Sequence, residues 1–184
     1  MGTDRRLRAI DAPERLRWAV RVLDPAPGDR VLEIGCGRGV AVALLSDRLT
    51  TGTVTAVDRS ATAVAAARRR NGEAVAAGRA AFHVLSLEDA DFAPGSFDKV
   101  LAVNVNLFWT RPADADLTAL RRWLAPGGLL CLCWEPPDER RAAEIAGVVE
   151  RAVAAHGFAT RAVRDGGLVA VLGVLAGEGC PGQP

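Results

Sequence analysis

Glu33, Gly35, Gly37 and Gly39 lie within Val31-Leu32-Glu33-Ile34-Gly35-Cys36-Gly37-Arg38-Gly39, where a short apolar run meets three alternating glycines with a carboxylate just ahead of them. Glycines at a strand-to-helix turn let bare backbone N–H groups approach a ligand, because no Cβ stands in the way. The chemistry this pattern supports is binding of a nucleotide-type cofactor. About twenty positions on, Val54-Thr55-Ala56-Val57-Asp58 ends in a second carboxylate, and two acceptor oxygens on one group suit the vicinal diol of a ribose. Asp58 supports a ribosyl ligand without choosing which one; capping of the following helix is its alternative role.

Two features bear on that choice. A dinucleotide fingerprint, G-x-G-x-x-G, needs its third glycine where this chain has Val40, so that helix and strand can pack closely. Here the glycine comes one residue earlier, at Gly39. A carboxylate beside the loop also repels a pyrophosphate and favours a ligand carrying positive charge. The pattern resembles the first motif of class I S-adenosylmethionine-dependent methyltransferases, E-x-G-x-G-x-G, with Glu33, Gly35, Gly37 and Gly39 in its four places. The resemblance extends over residues 26–176.

The elements that must position these groups follow from periodicity. Residues 13–23 carry apolar side chains at helical spacing and stop at Asp24-Pro25-Ala26-Pro27-Gly28. Strands are expected at 31–34, 54–57, 81–85, 98–103 and 129–134, and helices at 40–49, 61–70, 113–124 and 139–156, with Ser60 as an N-cap. Residues 159–164 and 168–175 form two further strands around Asp165-Gly166-Gly167, a link short enough for an antiparallel hairpin. The alternation implies an α/β fold: a doubly wound, mostly parallel sheet. The resemblance implies seven strands with the last inserted antiparallel. The expected organisation is a helical segment over 1–25, one domain over 26–176 and a disordered glycine- and proline-rich tail over 177–184.

In such a sheet ligands bind beyond the carboxyl ends of the strands, where strand order reverses. The resemblance implies that backbone around Gly35, Cys36 and Gly37 approaches the methionine portion of the cofactor, that Asp58 holds the ribose hydroxyls and that Arg59 flanks the adenine. Leu85-Ser86-Leu87-Glu88-Asp89-Ala90-Asp91-Phe92 is similar to the family's G-D-A-E-D-L-P-F stretch, with Ser86 where an aspartate usually accepts from the adenine amino group. The backbone N–H of Leu87 then faces an adenine ring nitrogen. Glu33 supplies acceptor character and field near the cationic end, or ties down loop amides. Asn104, at the exit of the fourth strand, belongs to the cofactor-binding set. Beyond it Asn106, Phe108 and Trp109 are acceptor-side candidates, the two aromatics offering flat apolar surface or packing under the following helix. The family's D/N-P-P-Y/F signature for base methylation is absent here.

Methyl transfer to a small molecule, with S-adenosylhomocysteine as the second product, is the implied reaction. No catalytic residue is assigned: His83 and His156 fall away from the strand tips, and in-line methyl transfer needs positioning more than a base. Glu135 and Glu139, after the fifth strand, add acidic groups near an acceptor or serve as solvated loop residues. A cofactor-binding module without turnover and a nicotinamide-dependent oxidoreductase are the alternative functions.

Composition narrows the partners. The chain has 184 residues, 49% hydrophobic content and a formal charge of +1, enough for one cored domain and without the charge that recruits nucleic acid. The run Arg68-Arg69-Arg70 falls at a helix end, where cations complement the dipole. No apolar run approaches the roughly 20 residues that cross a bilayer, and residues 1–11 lack the apolar core of a signal peptide; a soluble, cytoplasmic protein is expected. Cysteines 36, 131, 133 and 180 have no metal-ligand spacing and read as reduced thiols, with Cys36 placed where alkylation would block the cofactor.

Overall fold

The computed structural model describes residues 12–175. Helix α1 (Glu14–Leu23) precedes β1 (Arg30–Ile34), α2 (Val40–Arg48), β2 (Thr53–Asp58), α3 (Ala61–Arg70), the short α4 (Gly72–Ala76) and β3 (Ala80–Val84). The second half runs β4 (Phe97–Val103), the one-turn α5 (Leu107–Thr110), α6 (Asp114–Trp123), β5 (Leu124–Trp134), α7 (Glu139–Ala155), β6 (Phe158–Asp165) and β7 (Leu168–Leu175). The seven strands form one sheet in the order β3-β2-β1-β4-β5-β7-β6. The first five are mutually parallel, whereas β7 runs antiparallel to β5 and β6 antiparallel to β7. The expected fold and its C-terminal hairpin are therefore present, and strand order reverses between β1 and β4.

Both sheet faces are buried, which is why the central strands read as continuous apolar runs. Alternation along them sorts side chains to two layers. Val31, Leu101, Cys131 and Cys133 join α1, α2 and α3 on one face, while Leu32, Ile34, Val100, Leu130 and Leu132 pack with α6 and α7 on the other. Trp18 of α1 is buried in the first of these layers. The sole lysine, Lys99, reaches from β4 to donate to the carbonyls of Leu23 and Asp24, satisfying orphan acceptors at the end of α1.

One boundary shifts by five residues and two short helices are added. The fifth strand starts at Leu124, which pairs with Phe97 ahead of a register shift, so Pro126-Gly127-Gly128 lies within β5. Helices α4 and α5 were not expected, since elements of five and four residues are too short to show a period. The segment 1–11, the expected tail 177–184 and Cys180 lie outside the described residues. Among the described residues no helix is long and apolar enough to cross a membrane.

Candidate functional site

Register brings the chemistry-bearing junctions level. Ile34 pairs with Val57 and with Ala102, Asp58 with Val84, and Val103 with Cys133. Residues 35, 59, 85 and 104 therefore leave the sheet along one edge. Between them lies a cavity of about 530 Å³ lined by Gly35, Val57, Asp58 and Arg59, by residues 85–88, by residues 104–107, and by Thr110 and Arg111.

The glycine loop is held beside β2: the N–H groups of Gly35 and Cys36 both donate to the Val57 carbonyl, at 2.9 and 3.1 Å. Gly35 is left-handed, with φ +68°, and a Cβ there would stand 2.8 Å from Val105 Cγ2. Any side chain at this position would collide with the exit of β4, which bounds the same cavity. Gly39 serves a different end. Its φ is +72°, a Cβ would meet Asn71 Nδ2 at 2.6 Å and Ala67 Cβ at 2.8 Å, and its carbonyl accepts from Asn71 Nδ2 at 2.9 Å. Gly39 lets the loop close on α3, on the far side from the cavity. Gly37 has open space around it, and its N–H donates to Asp58 Oδ2 at 2.8 Å.

Asp58 does two jobs at once. Its Oδ2 accepts from Gly37 and its Oδ1 from the Ser60 N–H at 2.9 Å, so the carboxylate fixes both the glycine loop and the start of α3. Ser60 caps that helix as expected, accepting from Ala63. Each carboxylate oxygen keeps a further lone pair, and the group lines the cavity.

Glu33 lies beneath the loop rather than in the lining. It is 3% exposed, accepts from the Val42 N–H in the first turn of α2 and leaves Oε2 without a partner. It thus satisfies an orphan helix amide and sits at the positive end of the α2 dipole. Burial, aided by the charge of Asp58, pushes its carboxyl up to about 8. Cys36 is likewise buried, and burial with the Glu33 and Asp58 charges pushes its thiol up to about 12. The thiol of the loop position where alkylation would block the cofactor is thus shielded and protonated.

At the β3 exit, Ser86 Oγ donates to Asp89 Oδ2 at 2.6 Å and accepts from the Asp89 N–H. One acceptor lone pair remains. Leu87 is buried and lines the cavity. At the β4 exit, Asn104 takes φ +57° and its Oδ1 accepts from the Glu135 N–H at 3.0 Å. Its side chain thereby ties the ends of β4 and β5 together. Glu135 pairs with Arg15 of α1 at 3.2 Å and is not part of the lining.

Of the acceptor-side candidates only Asn106 lines the cavity. Phe108 is buried in the α6/α7 layer, and Trp109 lies under the Arg141 guanidinium, 4.6 Å from its ring centroid. The two aromatics pack against α7 because α5 is a single turn whose opposite sides face different neighbours. His83 is exposed on the edge strand β3, and His156 Nδ1 donates to the Ala152 carbonyl at the end of α7. Neither approaches the cavity. Val105 and Leu107 fall within the fourth-strand exit that the sequence offers, whereas sequence reasoning missed Thr110 and Arg111, whose types carry no signal until α5 folds them back over the strand ends. It also missed Asn71, although an Asn-Gly pair closing a helix marks such a cap.

Similarity to known proteins agrees with this geometry. A family model described as a methyltransferase domain matches residues 31–128. A trans-aconitate 2-methyltransferase from Delftia acidovorans is 32% identical over 136 residues, covering 72% of this chain and 48% of that protein. An uncharacterised protein from Synechococcus is 40% identical over 101 residues, 55% of this chain and 24% of its own length. The chain thus spans about half the length, or less, of the curated relatives it matches. The crystal structure of an S-adenosylmethionine-dependent methyltransferase from Aquifex aeolicus superposes with a TM-score of 0.73 at 18% identity, covering 93% of this chain and 97% of the other. With the family match, the glycine loop and the strand order all in place, the chain belongs to the class I S-adenosylmethionine-dependent methyltransferase family.

Proposed function

We propose that this protein transfers the methyl group of S-adenosylmethionine to a small-molecule acceptor and releases S-adenosylhomocysteine. The observation that carries the reading is the cavity at the strand-order reversal, where Gly35, Asp58, residues 86–87 and residues 104–106 converge. These residues fit the cofactor by their own chemistry: a backbone that no Cβ can cover, a carboxylate with lone pairs to spare, and a serine hydroxyl able to accept one more bond. The bound cofactor supplies an electrophilic methyl group on a cationic sulfur that leaves as a neutral thioether.

The chain's own residues orient and enclose. Gly35 presents backbone to the amino-acid end, Asp58 accepts from the ribose hydroxyls, and the Leu87 N–H and Ser86 hydroxyl read the adenine, with Arg59 beside it. Glu33 lies below the loop and braces the first turn of α2 through the Val42 N–H. Asn104 holds the β4 and β5 exits in fixed relation, and Asn106 faces the acceptor. Water exclusion and alignment then carry the rate, without a general base.

The relatives named as trans-aconitate methyltransferases make a small polycarboxylate the first acceptor to try. Calorimetric titration with S-adenosylmethionine, S-adenosylhomocysteine and a reduced nicotinamide dinucleotide, followed by methyl-transfer assays beginning with trans-aconitate, tests the proposal. Binding of the adenosyl ligands alone with turnover of a small acceptor supports it. Dinucleotide binding overturns it, and cofactor binding without turnover across a broad acceptor panel points to a binding module.

A further inference from the structure

Arg111 belongs to the cavity lining, and its cation is gripped from both sides. Its Nη2 donates to Glu88 Oε1 at 2.7 Å, and its Nη1 lies 3.1 Å from Asp116 Oδ2 and 3.1 Å from the Pro112 carbonyl. Glu88 belongs to the connection after β3 and Arg111 follows α5, so the pair joins the two lips of the cavity, and both residues line it.

The two carboxylates differ in kind. The Glu88 side chain is 68% exposed, and an exposed pair of this sort contributes little stability by itself. The Asp116 side chain is 3% exposed. Burying a charge carries a desolvation penalty that its partner offsets only in part, and apolar residues commonly serve as well or better for stability. What a buried carboxylate does supply is orientation: it holds the planar guanidinium at a set angle, with donors directed at Glu88. The wall that Glu88 belongs to has a second anchor, the Asp91–Arg122 pair, but Arg122 lies outside the lining. Only the Arg111 anchor reaches the ligand space.

We propose that Arg111 is a positioning residue of this site: backed by buried Asp116, it straps the 85–88 wall in place through Glu88 and so sets the affinity of the cavity for the adenine end of the cofactor. The inference rests on the cofactor reading above and assigns it three residues, Arg111, Asp116 and Glu88, that neither the glycine motif nor the ribose carboxylate includes.

The test is calorimetric titration of the whole chain, alongside thermal unfolding, with S-adenosylhomocysteine and with 5′-methylthioadenosine, which keeps the adenosine and lacks the amino-acid end. Asp116→Leu is expected to lower the melting temperature, since it leaves the Arg111 cation with Glu88 alone, and to bind both ligands about tenfold more weakly, by the same factor for each. Arg111→Gln and Glu88→Gln reproduce that loss, and the double variant is no worse than the single ones, because the residues act as one unit. Arg111→Gln, at a partly exposed site, keeps the test decisive if Asp116→Leu does not fold. Wild-type affinity in Arg111→Gln, additive losses in the double variant, or a loss confined to S-adenosylhomocysteine would each overturn the strap. Wild-type protein that binds neither ligand refutes the cofactor reading itself, and the strap with it.

Discussion

Replacing Glu33 by glutamine should change how stability depends on pH. In the unfolded chain this carboxyl titrates near its ordinary value of 4.5, whereas in the folded protein burial raises it to about 8. Between those values the folded state binds a proton that the unfolded state has lost. Stability from this group is therefore complete below pH 4.5 and declines as pH rises towards 8, at about 1.4 kcal/mol per pH unit. From about pH 5.5 to about pH 7.5 the folded group begins to ionise only at the upper end, so the loss is about 2.5 kcal/mol. Glutamine keeps an oxygen for the Val42 N–H and has no charge to lose. Urea unfolding of wild type and Glu33→Gln at several pH values in this window reads the difference directly, since every other titrating group cancels between the two proteins. The variant should gain on wild type steadily as pH rises. Parallel profiles would refute the argument, and with it the claim that the unpartnered Oε2 beneath the glycine loop carries a proton at neutral pH.

Other outcomes follow from the same geometry. Asp58→Ala removes two prospective ribose bonds and should weaken S-adenosylhomocysteine binding by about 2 to 4 kcal/mol in calorimetry; undiminished affinity would reassign Asp58 to loop anchoring through Gly37 and Ser60 alone. Gly39→Ala forces a side chain into left-handed backbone against Asn71 and Ala67, and denaturant unfolding should show a loss of about 2 to 4 kcal/mol. Cys36, shielded and with its thiol pushed up to about 12, should resist iodoacetamide near pH 8 in the folded protein, as followed by mass spectrometry, and react once the chain is unfolded.

Much of the fold was legible because its signals are local. Apolar runs of strand length, Ser60 at a helix start, the Asp165-Gly166-Gly167 link and the alternation of strands with amphipathic helices each act within a few residues, and together they leave one architecture. The glycine spacing was equally local, and so were Asp58 and Ser86 at strand exits. Elements of four or five residues escaped because one turn shows no period, and the early start of β5 escaped because Leu124 enters the sheet by pairing with Phe97, a partner far away in sequence.

The sequence by itself determined the order of the elements, the bare loop after β1 and the carboxylates that bracket it, since each depends on residue type and short spacing. Only the tertiary structure decided what each of those groups faces. Glu33 and Gly39 share a motif with Gly35, yet alternation along β1 and the approach of α3 turn them away from the cavity that Gly35 lines. Phe108 and Trp109 turn towards α7 for the same kind of reason, while Arg111 is carried over the strand ends and held there by Asp116. Which side of an element is lined, buried or open depends on neighbours brought together by packing, and no spacing within one chain segment encodes them.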